Sequence, residues 1–118
     1  MNSCFFVGKL AADPELKETN NTYVVNFSLA VEEYRRDKDG EKHRRVDYLD
    51  FEAWDTGATT IAKHFQKGDL LIIEAEARQH KWVSGEQKRQ KIVFRVKTFK
   101  SGVRPNSQEF DNTDKELR

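Results

Sequence analysis

Residues 46–78 read VDYLDFEAWDTGATTIAKHFQKGDLLIIEAEAR, and the spacing of their apolar residues changes twice. Leu49, Phe51 and Ala53 alternate with polar residues, which indicates a half-buried strand. Between residues 55 and 68 the apolar residues recur at the three- and four-residue intervals of a helix. Alternation returns from residue 69 to residue 78. The segment therefore predicts a strand, a helix and a second strand in succession.

The residues at both ends of this helix fit its expected boundaries. Asp55 or Thr56 can cap the start, because a side-chain oxygen there accepts a free backbone N–H of the first turn. Gly68 suits the left-handed conformation that commonly follows a helix end.

The N-terminal segment, residues 2–12, also has the composition of a strand. Phe5, Phe6 and Val7 are consecutive, which predicts burial on both faces over part of the strand. The following Asp13-Pro14-Glu15 is a turn signal, and the proline disfavours further strand pairing.

Two more segments have strand periodicity. Residues 22–33 alternate regularly, and residues 91–99 are expected to turn Ile92, Phe94 and Val96 inward. The resulting order is strand, strand, strand, helix, strand, strand. It predicts a mainly all-β protein with an OB-fold, a five-stranded Greek-key barrel with one α-helix between strands 3 and 4.

The length of 118 residues favours one domain. We expect that domain to occupy residues 1–100. Residues 101–118 contain few large hydrophobic residues and are expected to form a short, flexible C-terminal tail.

The charge of the chain is balanced overall but uneven locally. Lys and Arg number 21 and Asp and Glu number 20, which excludes a globally basic nucleic-acid binder. Residues 78–100 nevertheless hold eight basic residues and one acid, and residues 35–45 hold six basic residues and three acids. Turn signals at Asp39-Gly40 and Ser84-Gly85 place these groups on two hairpins. The hairpins could form a positive groove, or basic residues could simply keep exposed edges soluble.

Four aromatic residues lie near these basic residues, either in loops or on the side of a strand that carries its polar residues: Tyr34, Tyr48, Trp54 and Trp82. Aromatics on a polar face can stack on unpaired bases. They could also cover the flanks of the barrel, contact a sister subunit, staple a hairpin or end a strand. Taken together they favour a nucleic-acid interface.

Carboxylates in the third strand suggest an alternative, a metal-dependent nuclease. Asp50 and Glu52 lie on one face, with Asp47 and Asp55 nearby. Tyr48 and Trp54 share that face, so a solvated polar surface is the favoured interpretation.

Histidines and the cysteine give no sign of a metal site or a nucleophile. His43, His64 and His80 lie in a loop, a helix and a strand without paired spacing, and Cys4 lies among apolar residues. We expect no metal, no cofactor and no enzymatic activity. With one cysteine, no export signal and no long apolar run, a cytoplasmic location is expected.

Residues 2–100 resemble the bacterial-type single-stranded DNA-binding proteins. The matching stretches are Phe6-Val7-Gly8-Lys9-Leu10, Asp13-Pro14-Glu15-Leu16, Phe27-Ser28-Leu29-Ala30-Val31, Ala62-Lys63-His64-Phe65-Gln66-Lys67-Gly68 and Leu70-Leu71-Ile72-Ile73-Glu74. The resemblance implies sequence-independent binding and protection of single strands in replication, recombination and repair. It also implies a homotetramer, with a dimer as the lesser alternative.

The resemblance assigns base stacking to Tyr34, Tyr48, Trp54 and Trp82, two of which are Tyr where well-known members have Trp. Basic residues of β-strands and hairpins are expected to contact the DNA backbone: Lys9, Arg35, Arg36, Lys38, Lys42, Arg44, Arg45, Arg78, Lys81, Lys88, Arg89, Lys91, Arg95 and Lys97.

The C-terminus differs from the family pattern. Such proteins usually end in an acidic tip that recruits replication and repair enzymes, whereas this chain ends Asp114-Lys115-Glu116-Leu117-Arg118. Recruitment by that route is not expected here, and a phage-encoded member, acting in the host cytoplasm, is one interpretation. Two alternative functions are a primosome-type protein-interaction module and an RNA-binding OB-fold.

Overall fold

The computed structural model describes residues 1–102, and within them the chain forms six strands and one helix. The elements are β1 (Cys4–Leu10), β2 (Glu15–Thr19), β3 (Thr22–Arg36), β4 (Lys42–Trp54), α1 (Asp55–His64), β5 (Leu70–Ser84) and β6 (Gln87–Ser101). No helix in this part of the chain is long and apolar enough to cross a membrane.

Five of the strands close into a barrel. β5 pairs with both β1 and β6, β4 pairs with both β3 and β6, and β1 completes the circuit by pairing with β3. Among the strand pairs of residues 1–102, only β4 and β6 run parallel. The predicted OB-fold is thereby confirmed, with α1 between the third and fourth strands of the barrel.

The strand β2 was not anticipated from the sequence. The chain leaves the sheet after Leu10 and resumes pairing at Glu15, along the edge of β3. Asn20 and Asn21 both have positive φ, which suits the tight turn of a two-residue hairpin. The proline therefore interrupts pairing for a few residues instead of ending it.

Phe51 is the centre of the core. Its ring is 5.4 Å from that of Phe27, 5.2 Å from Phe6 and 5.5 Å from Phe94, so it joins side chains from four strands. Ile61 of α1 is fully buried against the same cluster, and the helix covers the barrel through it.

The burial expected for two strands was partly wrong. In β1, Phe6 packs against the core whereas Phe5 and Val7 are exposed, because alternate residues of a barrel strand face outward and no described residue covers them. In β6, Ile92 is exposed and Val93 is buried. β6 meets β4 only at Phe94 and Arg95, so Ile92 already belongs to the part of the hairpin that projects beyond the barrel.

The cap expected at the start of the helix was also wrong, whereas the left-handed Gly68 beyond its end is confirmed. Trp54 occupies the capping position without a side-chain hydrogen bond, and Asp55 is the first helical residue with a φ of +55°. Its carboxylate accepts a hydrogen bond from the Thr22 hydroxyl instead. The helix ends at His64, and Gly68 takes its left-handed conformation, φ +90°, in the turn that follows.

The barrel continues slightly beyond the expected domain boundary. Ser101 pairs with Leu71 in the β5–β6 ladder, and the Gly102 N–H donates to the Leu70 carbonyl at 2.8 Å. The remainder of the expected tail lies outside the described residues.

Gly8 is required where β1 crosses β3. A Cβ atom there would lie 2.6 Å from the Ala30 carbonyl oxygen and 2.9 Å from Leu29 Cγ, and backbone cannot yield as a flexible side chain can. We expect Gly8→Ala to lower the free energy of unfolding by about 1–3 kcal/mol, measured by urea denaturation. Gly57→Ala in α1 is the control, because its Cβ would have only ordinary contacts at 3.9 Å or more. It should be neutral or stabilising by up to about 1 kcal/mol; equal destabilisation by both changes would contradict the steric argument.

Candidate nucleic-acid interface

The register of β3 and β4 places three of the predicted aromatics on one side of the barrel. Residues directly opposite each other in an antiparallel ladder project to the same face. Tyr34 is opposite Arg44, Tyr48 is opposite Ala30, and Trp54 is opposite Val24. All even-numbered positions of these strands therefore share the outer face, while Phe27 and Phe51 occupy the inner one.

The same face continues onto the second hairpin. Glu52 is opposite Arg95 in the β4–β6 contact, and alternation along β6 from Arg95 leads to Arg89, which is opposite Trp82. The four predicted aromatics thus share one continuous surface, which we call the groove face. Between the hairpins it forms a cavity of about 420 Å³ lined by residues that include Ser28, Asp50, His80, Lys91 and Val93.

Three of the aromatics offer free ring surface. Tyr48 is 67% exposed, Tyr34 55% and Trp82 45%. Trp54 is half-buried, and the Arg95 guanidinium lies 5.6 Å from its ring. Its indole Nε1 is buried and has no hydrogen-bond partner among residues 1–102. Trp54 therefore combines a packing role with a partly covered stacking surface.

Tyr34 is held in place by its neighbours on the groove face. Its hydroxyl donates to the Glu32 carboxylate at 3.0 Å, and the Lys42 ammonium lies 4.7 Å from the ring centroid. Arg44 donates to the same carboxylate at 2.8 Å. These two hydrogen bonds, that of Arg44 first, lower the pKa of Glu32, so the carboxylate is ionised at neutral pH.

Glu52 is a buried carboxylate beneath the groove face. It is 2% exposed, accepts a hydrogen bond from Arg95 Nε at 3.0 Å and lies 3.4 Å from His80 Nε2. Because the Glu52 carboxylate is buried, its charge needs a partner, and the ion pair with the half-buried Arg95 holds that side chain near Trp54. Sequence reasoning missed the pairing, since no local pattern links residues 52 and 95.

The basic residues expected to contact a nucleic-acid backbone are divided between surfaces. By register, one group shares the groove face: Lys9, Arg36, Lys42, Arg44, Arg78, Arg89, Lys91 and Arg95. A second group lies on the opposite face of the two hairpins: Arg35, Arg45, Lys81 and Lys88. Lys38 lies in the hairpin turn, and Lys97 donates to the Asn2 carbonyl and the Ser3 hydroxyl near the N-terminus.

The carboxylates considered for a metal site do not converge. Asp47 contacts Arg45, Asp50 contacts Lys91, Glu52 contacts Arg95 and Asp55 contacts Thr22. By register, Asp47 faces away from Asp50 and Glu52. Each charge has its own partner on the protein, as expected for a polar surface.

A different group of side chains lies close enough together to hold a cation. Ligand atoms of Asp37, Glu41 and His43 lie within 4.8 Å of one another. The Asp37 carboxylate accepts the backbone N–H groups of Asp39 and Glu41 and lies 2.8 Å from His43 Nε2. These contacts, that of His43 first, lower the pKa of Asp37. The group therefore serves to order the β3–β4 turn.

Comparisons with known proteins agree with this geometry. The sequence model of the Single-strand binding protein family matches residues 1–101. A single-stranded DNA-binding protein of Aquifex aeolicus is 27% identical over 117 residues, which are 98% of this chain and 80% of that protein. Single-stranded DNA-binding protein 1 of Streptococcus pyogenes is 34% identical over 82 residues, which are 69% of this chain and 61% of that protein. The Halalkalibacterium halodurans protein is 31% identical over 75% of this chain, which spans 52% of that relative's length.

Solved structures share the fold. The Plasmodium falciparum SSB in complex with ssDNA superposes with a TM-score of 0.77 at 22% identity, over 87% of this chain and 96% of that one. The single-stranded DNA binding protein from Thermus aquaticus, a deletion mutant, gives a TM-score of 0.77 at 18% identity, over 91% of this chain and 52% of that one. At these identities the superpositions establish the fold, and the match of the family model over residues 1–101 goes further: the chain belongs to the Single-strand binding protein family.

Proposed function

We propose that this protein binds single-stranded DNA with little sequence preference and without catalysis. The observation that carries the proposal is the groove face, where Tyr34, Tyr48, Trp54 and Trp82 share one surface with eight basic residues. Every base has a π-face, so aromatic platforms bind bases without reading their hydrogen-bonding edges. A single strand, unlike a duplex, has bases free to stack on them.

The two hairpins contribute different parts of the interaction. Tyr34 and Tyr48 on the first hairpin and Trp82 on the second accept bases, because their rings are the more exposed. Arg89 and Arg36 lie near the hairpin ends on the same face and contact phosphates. Trp54 contributes a smaller stacking surface beside Arg95.

The cellular role follows from strand coating. A protein that covers unpaired DNA protects it during replication, recombination and repair, the role that membership of this family supports. We propose that this role is performed in the cytoplasm. It requires no cofactor and no metal.

We also propose that the protein is a homo-oligomer, with a tetramer as the principal candidate. Phe5, Val7 and Ile72 form an apolar strip on the outside of the barrel, since Val7 is directly opposite Ile72 and Phe5 is two residues along β1. All three side chains are exposed. Burying such a strip against another subunit would contribute the apolar contact that a chain of this size lacks.

The first experiment is a titration with oligothymidylate that follows tryptophan fluorescence at several salt concentrations. We expect quenching, and an affinity whose logarithm falls with the logarithm of salt concentration by about 0.7 for each phosphate neutralised. Duplex DNA should compete poorly. If RNA competed as well as single-stranded DNA, the protein would be a general single-strand binder. If single-stranded DNA, duplex DNA and RNA all competed equally, a protein-interaction module would be favoured instead.

The second experiment removes exposed aromatic platforms. Tyr48→Ala and Trp82→Ala should each weaken oligothymidylate binding by about 1–3 kcal/mol, since each removes one base stack. Tyr23→Ala is the matched control, because Tyr23 is an exposed tyrosine on β3 at an odd-numbered position, away from the groove face. The stacking role would be refuted if Tyr48→Ala and Trp82→Ala lost no more affinity than Tyr23→Ala.

The third experiment measures subunit number by light scattering. Phe5→Asp should shift the protein towards smaller species, because a charge would then have to be buried in the subunit contact. Leu16→Asp is the control, since Leu16 is also exposed but lies on β2. A monomeric wild-type protein, or an assembly that tolerates Phe5→Asp, would contradict the proposed contact.

A further inference from the structure

Three carboxylates of the β3–β4 hairpin lie on the groove face among the basic residues. By register they are Glu32 on β3 and Asp50 and Glu52 on β4. Each is paired with a basic side chain of the same face: Glu32 with Arg44, Asp50 with Lys91, and Glu52 with Arg95. Part of the positive charge that could attract phosphate is therefore already neutralised by the protein itself.

The three pairs differ in how easily a phosphate could replace the carboxylate. Glu52 is buried and has two basic partners, Arg95 and His80, so a ligand cannot displace it without disturbing the barrel. Glu32 forms short hydrogen bonds to both Arg44 and Tyr34.

Asp50 is the accessible member of the group. Its side chain is 56% exposed, and the structure gives it one ion pair, to Lys91 Nζ at 3.6 Å, with Lys91 similarly exposed. An ion pair of this kind between solvated side chains contributes little stability. Asp50 and Lys91 also both line the cavity between the hairpins. A strand crossing that cavity would meet this pair directly.

We propose that Asp50 is an affinity-limiting residue, a carboxylate that competes with DNA phosphate for Lys91 inside the binding groove. This inference rests on the proposed single-strand binding. A phosphate that binds Lys91 must first break the ion pair between Lys91 and Asp50. Asp50 thus weakens the hold on the strand at one point of the groove and favours its release.

Competition for Lys91 accounts for the presence of a carboxylate in the groove. A surface that only maximised attraction for phosphate would have no ionised carboxylate facing a cavity of this kind. Asp50 also lies outside the core. Its neighbour across the strand pair is Ser28, and the buried core lies on the other side of β4. Packing within residues 1–102 therefore does not explain why an aspartate occupies position 50.

The test is Asp50→Asn, which removes the charge while keeping the shape of the side chain. Binding of oligothymidylate should become about two- to fivefold tighter, which is the range expected for breaking an exposed ion pair. The salt dependence should steepen by about 0.7 in the log-log slope, because Lys91 becomes available to one more phosphate. Urea denaturation should show unchanged stability.

Two further variants isolate the mechanism. Glu18→Gln on β2, away from the groove face, makes the same change in net charge and should alter neither affinity nor slope. Lys91→Gln removes the residue for which Asp50 competes, so adding Asp50→Asn to it should give little further gain. The proposal is overturned if Asp50→Asn binds no more tightly than Glu18→Gln, or if its full gain persists in the Lys91→Gln background.

Binding by the wild-type protein distinguishes failure of the Asp50 competition from failure of the proposed single-strand binding. Salt-dependent binding by the wild-type protein with no effect of Asp50→Asn refutes the competition alone. Absence of wild-type binding refutes the proposed function, and the competition falls with it.

Discussion

The parallel contact between β4 and β6 joins the two long hairpins of this protein directly, where β1 joins them through β3 and β5. It consists of two residue pairs, Phe51 with Phe94 and Glu52 with Arg95, and it joins hairpins that are far apart in the sequence. On the inner side, Phe51 packs against rings from neighbouring strands. On the outer side, the buried Glu52 carboxylate forms an ion pair with the half-buried Arg95. The apolar core and the polar surface are therefore anchored at the same place.

This closure determines the shape of the groove. Beyond it, β3 with β4 and β5 with β6 continue as two-stranded ribbons that carry their basic residues and aromatics away from the barrel. Isolated ribbons are only marginally stable in water. The Asp37 carboxylate, which accepts two backbone N–H groups of the turn, supplies local order at the end of the first ribbon.

Local sequence patterns predicted most of the fold because alternation and turn residues are local properties. The strands around Phe51 and Ile73, the helix around Ile61 and the turns at Gly40 and Gly85 were all foreseen. The four aromatics were recognised because they lie in loops or among the polar residues of a strand. The structure brings them onto one surface, and their contacts with DNA stay a prediction. Pairings between residues far apart in the sequence could not be predicted from such local patterns. β2, the exposure of Phe5 and Ile92, and the pairing of Glu52 with Arg95 all depend on which strand lies beside which.

The separation of the aromatic platforms has a consequence for ligand length. Tyr48 and Trp54 are six residues apart on one strand, a distance of about 20 Å at the usual rise of about 3.3 Å per residue. Neighbouring bases of one strand cannot occupy both rings, so a very short oligonucleotide gains only one stack. Under the proposed stacking, a longer one would engage a second platform as an intramolecular event at high effective concentration. Under the proposed stacking, a bound strand therefore has bases between Tyr48 and Trp54 that neither ring covers.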